Sequence, residues 1–303
     1  ESATMKLNQK PNRPNPLYIG ARPPFDGKSA AGAGDASDEL NPPADHGEQS
    51  YKGHQQLSGC VALVIGGDSG IGRAIALAYA REGADVAFTY HKNQSDAEST
   101  QQLLQQEAGV RTCAYQLDQS KAEHCKQLLQ QVNSEFGRLD ILVNNAATQT
   151  TYQTADAIDI EEFENTFKIN AFGTFYLCKY ALDIIQESGC IINTASIQSF
   201  DPSAYLLPYA ATKAAIASMT KSFASFAIHK GIRVNAVAPG PVWTPLIPNT
   251  MPEDKIENFG SNTLLGRPAQ PSELAHAYVF LASPQASYIT GEIYPVTGGR
   301  QQI

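Results

Sequence analysis

From Leu57 onward, apolar runs of strand length alternate with amphipathic segments of helix length, a pattern met by a parallel sheet wrapped in helices. Strands are predicted at about 60–65, 84–90, 110–116, 139–143, 189–194, 231–237 and 291–296. Helices are predicted near 71–82, 96–107, 119–136, 160–187, 203–229 and 272–282. Runs such as Cys60–Ile65 and Ile141–Val143 are almost wholly apolar, as a strand needs when helices cover both of its faces. No fixed-period repeat and no polar linker interrupts the chain after residue 57. The expectation is a single α/β domain, doubly wound, with a seven-stranded parallel sheet and helices on both faces.

Residues 1–56 differ from the rest. They hold many of the 18 prolines but few Val, Ile, Leu, Met or Phe residues, and so cannot bury a core of their own. They read as an extended arm (1–56) ahead of one domain (57–303). Asp45–Gly53 (DHGEQSYKG) could dock on the body or on a neighbouring subunit, and for residues 1–40 a disordered tail is the competing reading. The chain opens on Glu1 with its first Met at position 5, so its first residues read as an added scar or the remnant of a longer chain.

Composition excludes several function classes. At 42% apolar and 17% charged residues the body can bury a large core, and a net charge of −8 repels a phosphate backbone, so no nucleic acid is expected as main partner. Five cysteines without a CxxC pair read as free thiols in a reducing compartment. No apolar run of membrane-spanning length occurs, and the first 25 residues lack the apolar core of a secretory signal, so a soluble, cytoplasmic protein without membrane contact is expected. His46, His54, His91, His124, His229 and His276 fall in no ligand spacing, and no metal is expected.

Directly after the first strand come Gly66, Gly67, Asp68, Ser69, Gly70, Ile71, Gly72 and Arg73, then an Ala-rich helix. A turn without Cβ atoms lets backbone N–H groups approach a pyrophosphate, and the helix adds its positive end. The phosphate loop of NTPases is excluded because Arg73 and Ala74 stand where Lys and Ser or Thr belong. A hydrolase built on Ser69 is disfavoured because Ile71 breaks the nucleophile-elbow pattern. Tight packing alone would also explain such a turn.

Four other positions carry chemistry. Tyr209 and Lys213 lie four apart on a predicted helix, so both side chains share a face, and an ammonium beside a phenol favours the phenolate. Ser196 follows the strand ending at Thr194, at the carboxyl edge where α/β sheets bind ligands. Asn170 is a poor helix former among apolar neighbours, either a capped kink or a functional group.

The Gly66, Gly70, Gly72 spacing together with Asn170, Ser196, Tyr209 and Lys213 resembles the short-chain dehydrogenase/reductase family, with its TGxxxGxG turn and catalytic tetrad. The resemblance runs over about residues 57–299 and includes Asp118, Asn144, Asn145, Ala146, Pro239, Gly240 and the final Thr290–Gly299 segment. Ile65 departs from it, standing where the family has Thr and removing a hydroxyl that would brace the turn. The resemblance implies a Rossmann fold binding NAD(P) along Gly66, Asp68, Ser69, Gly70, Ile71 and Gly72. It puts Asp118 against adenine, Asn144, Asn145 and Ala146 along the cofactor channel, Pro239 and Gly240 beside it, and Val242 and Thr244 against the carboxamide. Tyr209 would be the acid/base for hydride transfer between nicotinamide and a small carbonyl or alcohol (aldehyde, ketone or sugar-like polyol), and Ser196 would polarise the oxygen. Lys213 would reach the nicotinamide ribose and, with the Asn170 backbone, anchor a water chain. Read without the resemblance, Asp118 is equally a helix N-cap, Asn144–Asn145 a turn, and Pro239–Gly240 a strand terminator.

An acidic residue after the second strand would disfavour a 2′-phosphate. Tyr90 stands there, followed by His91 and Lys92, with Arg73 nearby in the turn, so NADP is expected, with NAD as the alternative; His91 and Lys92 could instead be solvated loop residues. The segment near 242–270 reads as a lid made partly apolar by Trp243, Leu246 and Ile247, unless these pack on the body. Gln198, Asp201 and Tyr205 could add polar contacts. Apolar residues on several faces of the helices near 160–187 and 203–229 point to subunit contacts, and the resemblance implies a homotetramer. The arm and the GGDSGIGR turn resemble a bacterial branch of aldehyde reductases and glucose and ribitol dehydrogenase-like proteins. The alternative is a nucleotide-sensing or scaffold protein on the same fold without turnover.

Overall fold

Successive side chains of the first strand leave for opposite layers, as the two-residue period of a strand requires. In the computed structural model, which describes residues 14–26, 40–107 and 109–300, Ala62 and Val64 of β1 (Val61–Ile65) enter one core. Val61, Leu63 and Ile65 enter the other. Both faces are covered, which is why the whole strand is buried. The remaining strands are β2 (Asp85–Tyr90), β3 (Thr112–Gln116), β4 (Leu139–Asn144), β5 (Ile185–Thr194), β6 (Arg233–Pro239) and β7 (Ile293–Val296). They pair in parallel in the order β3-β2-β1-β4-β5-β6-β7. The doubly wound Rossmann sheet expected from the sequence is the observed one.

Helices α1 (Gly70–Arg81), α2 (Gln94–Gln105) and the C-terminal Pro271–Ala282 cover the first face, joining Ile75, Leu77, Leu104, Leu274 and Tyr278 to its core. Helices α3 (Ala122–Phe136), α5 (Gly173–Ala181) and α6 (Leu207–Ala227) cover the second through residues such as Leu128, Val132, Leu177 and Phe223. Connections from β1 and from β4 run in opposite directions along the sheet, which opens a crevice at their carboxyl ends.

Two boundaries differ from expectation. The segment expected as one helix over 160–187 divides into α4 (Ile160–Phe167), a π-turn (Lys168–Phe172) and α5, which ends at Ala181. Asn170 accounts for the break. Its Oδ1 accepts from Thr148 N and its Nδ2 donates to Thr148 O, both at 2.8 Å, and the helix widens to let that side chain leave toward the loop after β4. The end of that expected helix is strand instead, because Ile185 pairs with Leu139 before the register shifts to Ile141–Cys190. The helix expected from 203 begins at Leu207, after a 3₁₀ turn over Ala204–Leu206.

Of the arm, residues 1–13 and 27–39 lie outside the described residues, and the disordered-tail reading concerns largely these. Residues 40–56 pack on the chain's own body. The Arg81 guanidinium donates to the carbonyls of Gly47, Glu48 and Tyr51, and the Tyr51 ring lies 4.8 Å from that of His276. Asp45 N donates to Gln270 Oε1 and Ser272 Oγ to Asp45 Oδ2.

Candidate active site

The turn after β1 is shaped by two glycines that no other residue could replace. Gly66 sits at φ +72°, where a Cβ would also lie 2.7 Å from that of Ala146, and a Cβ on Gly72 would lie 1.7 Å from the Gly66 carbonyl oxygen. Gly72 therefore packs the helix against the turn and does not line the cavity, unlike Gly66, Asp68, Ser69, Gly70 and Ile71, which do. The brace missing at Ile65 comes from the next strand: Thr89 Oγ1 accepts from Gly66 N at 2.9 Å, and Thr89 O accepts from Gly67 N. Ser69 is the N-cap of α1 yet makes no side-chain capping bond, so first-turn amides stand open toward the same space.

That space is a cavity of ≈ 1230 Å³ running along the carboxyl edge of the sheet. At one end lie Tyr90, His91, Lys92 and Asp118; at the other, Ser196, Tyr209 and Lys213. Asn145, Ala146, Pro239, Gly240, Val242 and Thr244 line it as well. Asp118 holds Ser120 N at 3.0 Å and the Ser120 hydroxyl; burial pushes its carboxyl up, and these two donors outweigh that, leaving it below the usual range.

Tyr209 and Lys213 do share a face, with the Lys213 ammonium nitrogen 5.5 Å from the Tyr209 ring centre. Lys213 Nζ donates to Thr194 O at 2.6 Å. Ser196 Oγ accepts from Gln198 N, capping a 3₁₀ turn at the end of β5, and its hydroxyl neighbours the Tyr209 phenol closely enough to favour the phenolate. The expected lowering of the phenol is absent here. Burial pushes Tyr209 up to about 12, only partly offset by Ser196, and burial alone brings Lys213 down to about 7.

Several expected site residues stand behind the wall. Asn144 is the last residue of β4; it points into the sheet layer, donating to Asn193 Oδ1 at 2.8 Å, and does not reach the cavity. Period-two alternation sends Asn145 the other way, where its Nδ2 donates to Gly66 O at 3.2 Å. Asn170 is fully buried and acts on the cavity through Thr148. Its Nδ2 also donates to Thr212 Oγ1, whose own donor goes to Tyr209 O. Arg73, expected near the cofactor phosphate, instead faces Ser99 and the arm's Glu48, at 3.3 and 3.6 Å. Gln119, unnoticed in the sequence, ties Ala146 O and Ile169 O together from one amide. Only its position just beyond a strand end could have marked it. Among the described residues no group of three or more His, Cys, Asp or Glu side chains could hold a metal ion, and no helix is long and apolar enough to cross a membrane.

A glycine turn at the switch point of a doubly wound sheet, sharing one cavity with a Ser–Tyr–Lys group, defines an α/β oxidoreductase. A family profile described as enoyl-(acyl carrier protein) reductase matches residues 65–301. The chain is 43% identical to the glucose and ribitol dehydrogenase of Daucus carota, over 86% of this chain and 91% of that one. It is 45% identical to the chloroplastic NADPH-dependent aldehyde reductase 1 of Arabidopsis thaliana, over 82% and 88%. A solved short-chain dehydrogenase from Burkholderia cenocepacia in complex with NADP superposes with a TM-score of 0.76 at 31% identity, covering 80% of this chain and 98% of that one. The chain belongs to the short-chain dehydrogenase/reductase family.

Proposed function

We propose that the protein reduces a small aldehyde, ketone or sugar-like carbonyl, or oxidises the matching alcohol, with NADP as cofactor and Tyr209 as acid/base. The observation carrying this reading is that Ser196, Tyr209 and Lys213 line the same cavity as the Gly66–Ile71 turn. The cradle fits an extended dinucleotide, since its glycines leave the backbone bare where a pyrophosphate would lie. Bound there, the nicotinamide supplies or accepts the hydride. The Ser196 hydroxyl holds the substrate oxygen, and Tyr209 delivers a proton to it during reduction or removes one during oxidation. Lys213, held by Thr194 O, supports the proton supply to Tyr209. Asn170 keeps the 148–149 loop in place at the cavity wall. Mixing the protein with NADPH and a panel of aldehydes, ketones and sugars should consume nicotinamide absorbance; no consumption with any of them would favour a nucleotide-sensing or scaffold role.

The preference for NADP rests on His91 and Lys92 at the cavity edge, with Arg73 turned away. The names of the Arabidopsis relative and the Burkholderia complex support it. KM for NADPH should lie below that for NADH, and Lys92→Glu should raise the NADPH value about tenfold while leaving NADH nearly unchanged. A strong NADH preference in the unaltered protein would refute the assignment.

We also place the protein in the cytoplasm, where its five unpaired cysteines would stay reduced. A homotetramer is supported by a groove of ≈ 420 Å³ lined by Phe167, Phe172, Phe175, Tyr176 and Met219, with Phe172 and Phe175 substantially exposed. Light scattering should return four times the chain mass, and charging both positions (Phe172→Glu with Phe175→Glu) should reduce it. An unchanged mass in that double variant would exclude this face as an interface.

A further inference from the structure

The inner wall of the substrate end of the cavity is built on segments with no core of their own. Helices α7 (Leu246–Thr250) and α8 (Glu253–Glu257) have five residues each, well below the ~12–15 an isolated helix needs in water. Their apolar side chains Ile247 and Ile256, with Met251 and Phe259, gather on Trp243, Phe25 and Leu40 in a cluster separate from the two cores flanking the sheet. Trp243, read from the sequence as part of an apolar lid or as packing on the body, is fully buried and does not line the cavity.

The arm supplies the other half of that cluster. The Phe25 ring stacks on Trp243 at 4.3 Å and 15°. Phe25 N donates to Glu257 O at 2.9 Å, which fixes the arm to the end of α8, and the indole N–H donates to Pro42 O at 2.7 Å. Further along, Arg267 donates twice to Pro16 O, and Arg22 donates to Leu265 O. The same short helices line the cavity through Asn249, Thr250 and Asp254, while Ile247, Met251 and Phe259 border both the cluster and the cavity. There the Gln149 amide donates to Thr250 Oγ1 at 2.7 Å and Thr151 Oγ1 to Thr250 O at 3.0 Å.

We propose that the N-terminal arm is the outer half of the substrate lid: Phe25, Leu40 and the Pro42 carbonyl, gathered on Trp243, hold residues 246–259 over the substrate end of the cavity and thereby set substrate affinity. These are positioning residues, since none of Phe25, Leu40 and Pro42 lines the cavity. The assignment of an effect on KM rests on the carbonyl-reductase reading above; the mechanical coupling of arm to lid does not.

Phe25→Ala removes the stack and leaves the sheet and the glycine turn untouched. Three readouts follow. Amides of 246–259 should exchange with solvent faster while those of 61–65 and 189–194 do not change. Emission of Trp243, the only tryptophan in the chain, should shift to the red. KM for the carbonyl substrate should rise about tenfold, with kcat and the Kd for NADPH within about twofold of the unaltered protein. Phe25→Leu, which keeps an apolar group on the indole, should recover most of the affinity, and Leu40→Ala carries the same test should Phe25→Ala not fold. Unaltered exchange at 246–259 overturns the proposal. So does a rise in KM accompanied by an equal loss of NADPH affinity and of thermal stability, which would make the arm a general brace. If the unaltered protein reduces no carbonyl, exchange at 246–259 still decides the coupling by itself.

Discussion

Tyr209→Phe is expected to lower kcat by roughly 10²–10⁴-fold, the range associated with a positioned acid/base, while NADPH binds as before. The substitution removes one oxygen from a half-buried ring at the cavity wall, so the side-chain volume and the Lys213 contact above it are kept. What disappears is the proton donor beside Ser196. Because burial pushes the phenol up to about 12, Tyr209 carries its proton throughout the neutral range, the state that reduction needs. The oxidising direction needs the deprotonated form, whose population grows with pH. As far as Tyr209 is concerned, reduction should therefore be nearly flat between about pH 6 and 8, any decline there being set by Lys213 near 7, and oxidation should climb across that interval and beyond. Stopped-flow rates with NADPH and the best substrate from the carbonyl panel, beside a fluorescence titration of NADPH, separate chemistry from binding. Residual activity above one tenth in the Phe variant would remove Tyr209 from the proton-transfer step.

The elements legible in the sequence are those whose signal is local. β1, β2, β4 and β6 read clearly because a strand buried on both faces is apolar at nearly every position, and the glycine turn reads from its own letters. Ser196, Tyr209 and Lys213 were recognisable because each follows a strand end or a helical spacing. What was hidden depends on partners distant in the chain. The π-turn in 168–172 exists because Asn170 bonds a loop residue 22 positions earlier, which no helical period records. Arg73 is drawn from the cavity by Glu48, and Trp243 by Phe25, both in an arm too poor in apolar residues to announce a docking site. Asn144 is different. The alternation that separates it from Asn145 was already present in the strand, and matching the pair of letters to a motif obscured it.

Replacing Glu82 by Leu should cost about 3–5 kcal/mol. A carboxylate at the C-terminal end of α1 opposes the helix dipole, so its presence needs another cause. That cause is the arm. Glu82 is fully buried, accepts from the Tyr51 hydroxyl at 2.6 Å and from the backbone N–H groups of His54 and Gln56 at 2.9 Å each, and so converts residues 51–56 from loose chain to packed structure. Leu would leave the buried Tyr51 hydroxyl and the part-buried N–H groups of His54 and Gln56 without their acceptor, and Gln would turn an amide donor toward at least one of them. The melting temperature should fall by roughly 10 °C. Burial raises the Glu82 carboxyl, but these donors outweigh it and hold it below the usual carboxylate range in the folded protein. A carboxyl depressed on folding contributes fully above its unfolded value of about 4.3 and loses that contribution as pH drops through the folded value. The gap in melting temperature between the unaltered protein and Glu82→Gln should therefore be widest near neutrality and close below about pH 4. Tyr51→Phe combined with Glu82→Leu should cost less than the two separate losses added together, because the first removes a donor that the second would strand. Strict additivity, or a gap that stays constant down to acid pH, would mean that the carboxylate is not what holds this part of the arm to the sheet domain.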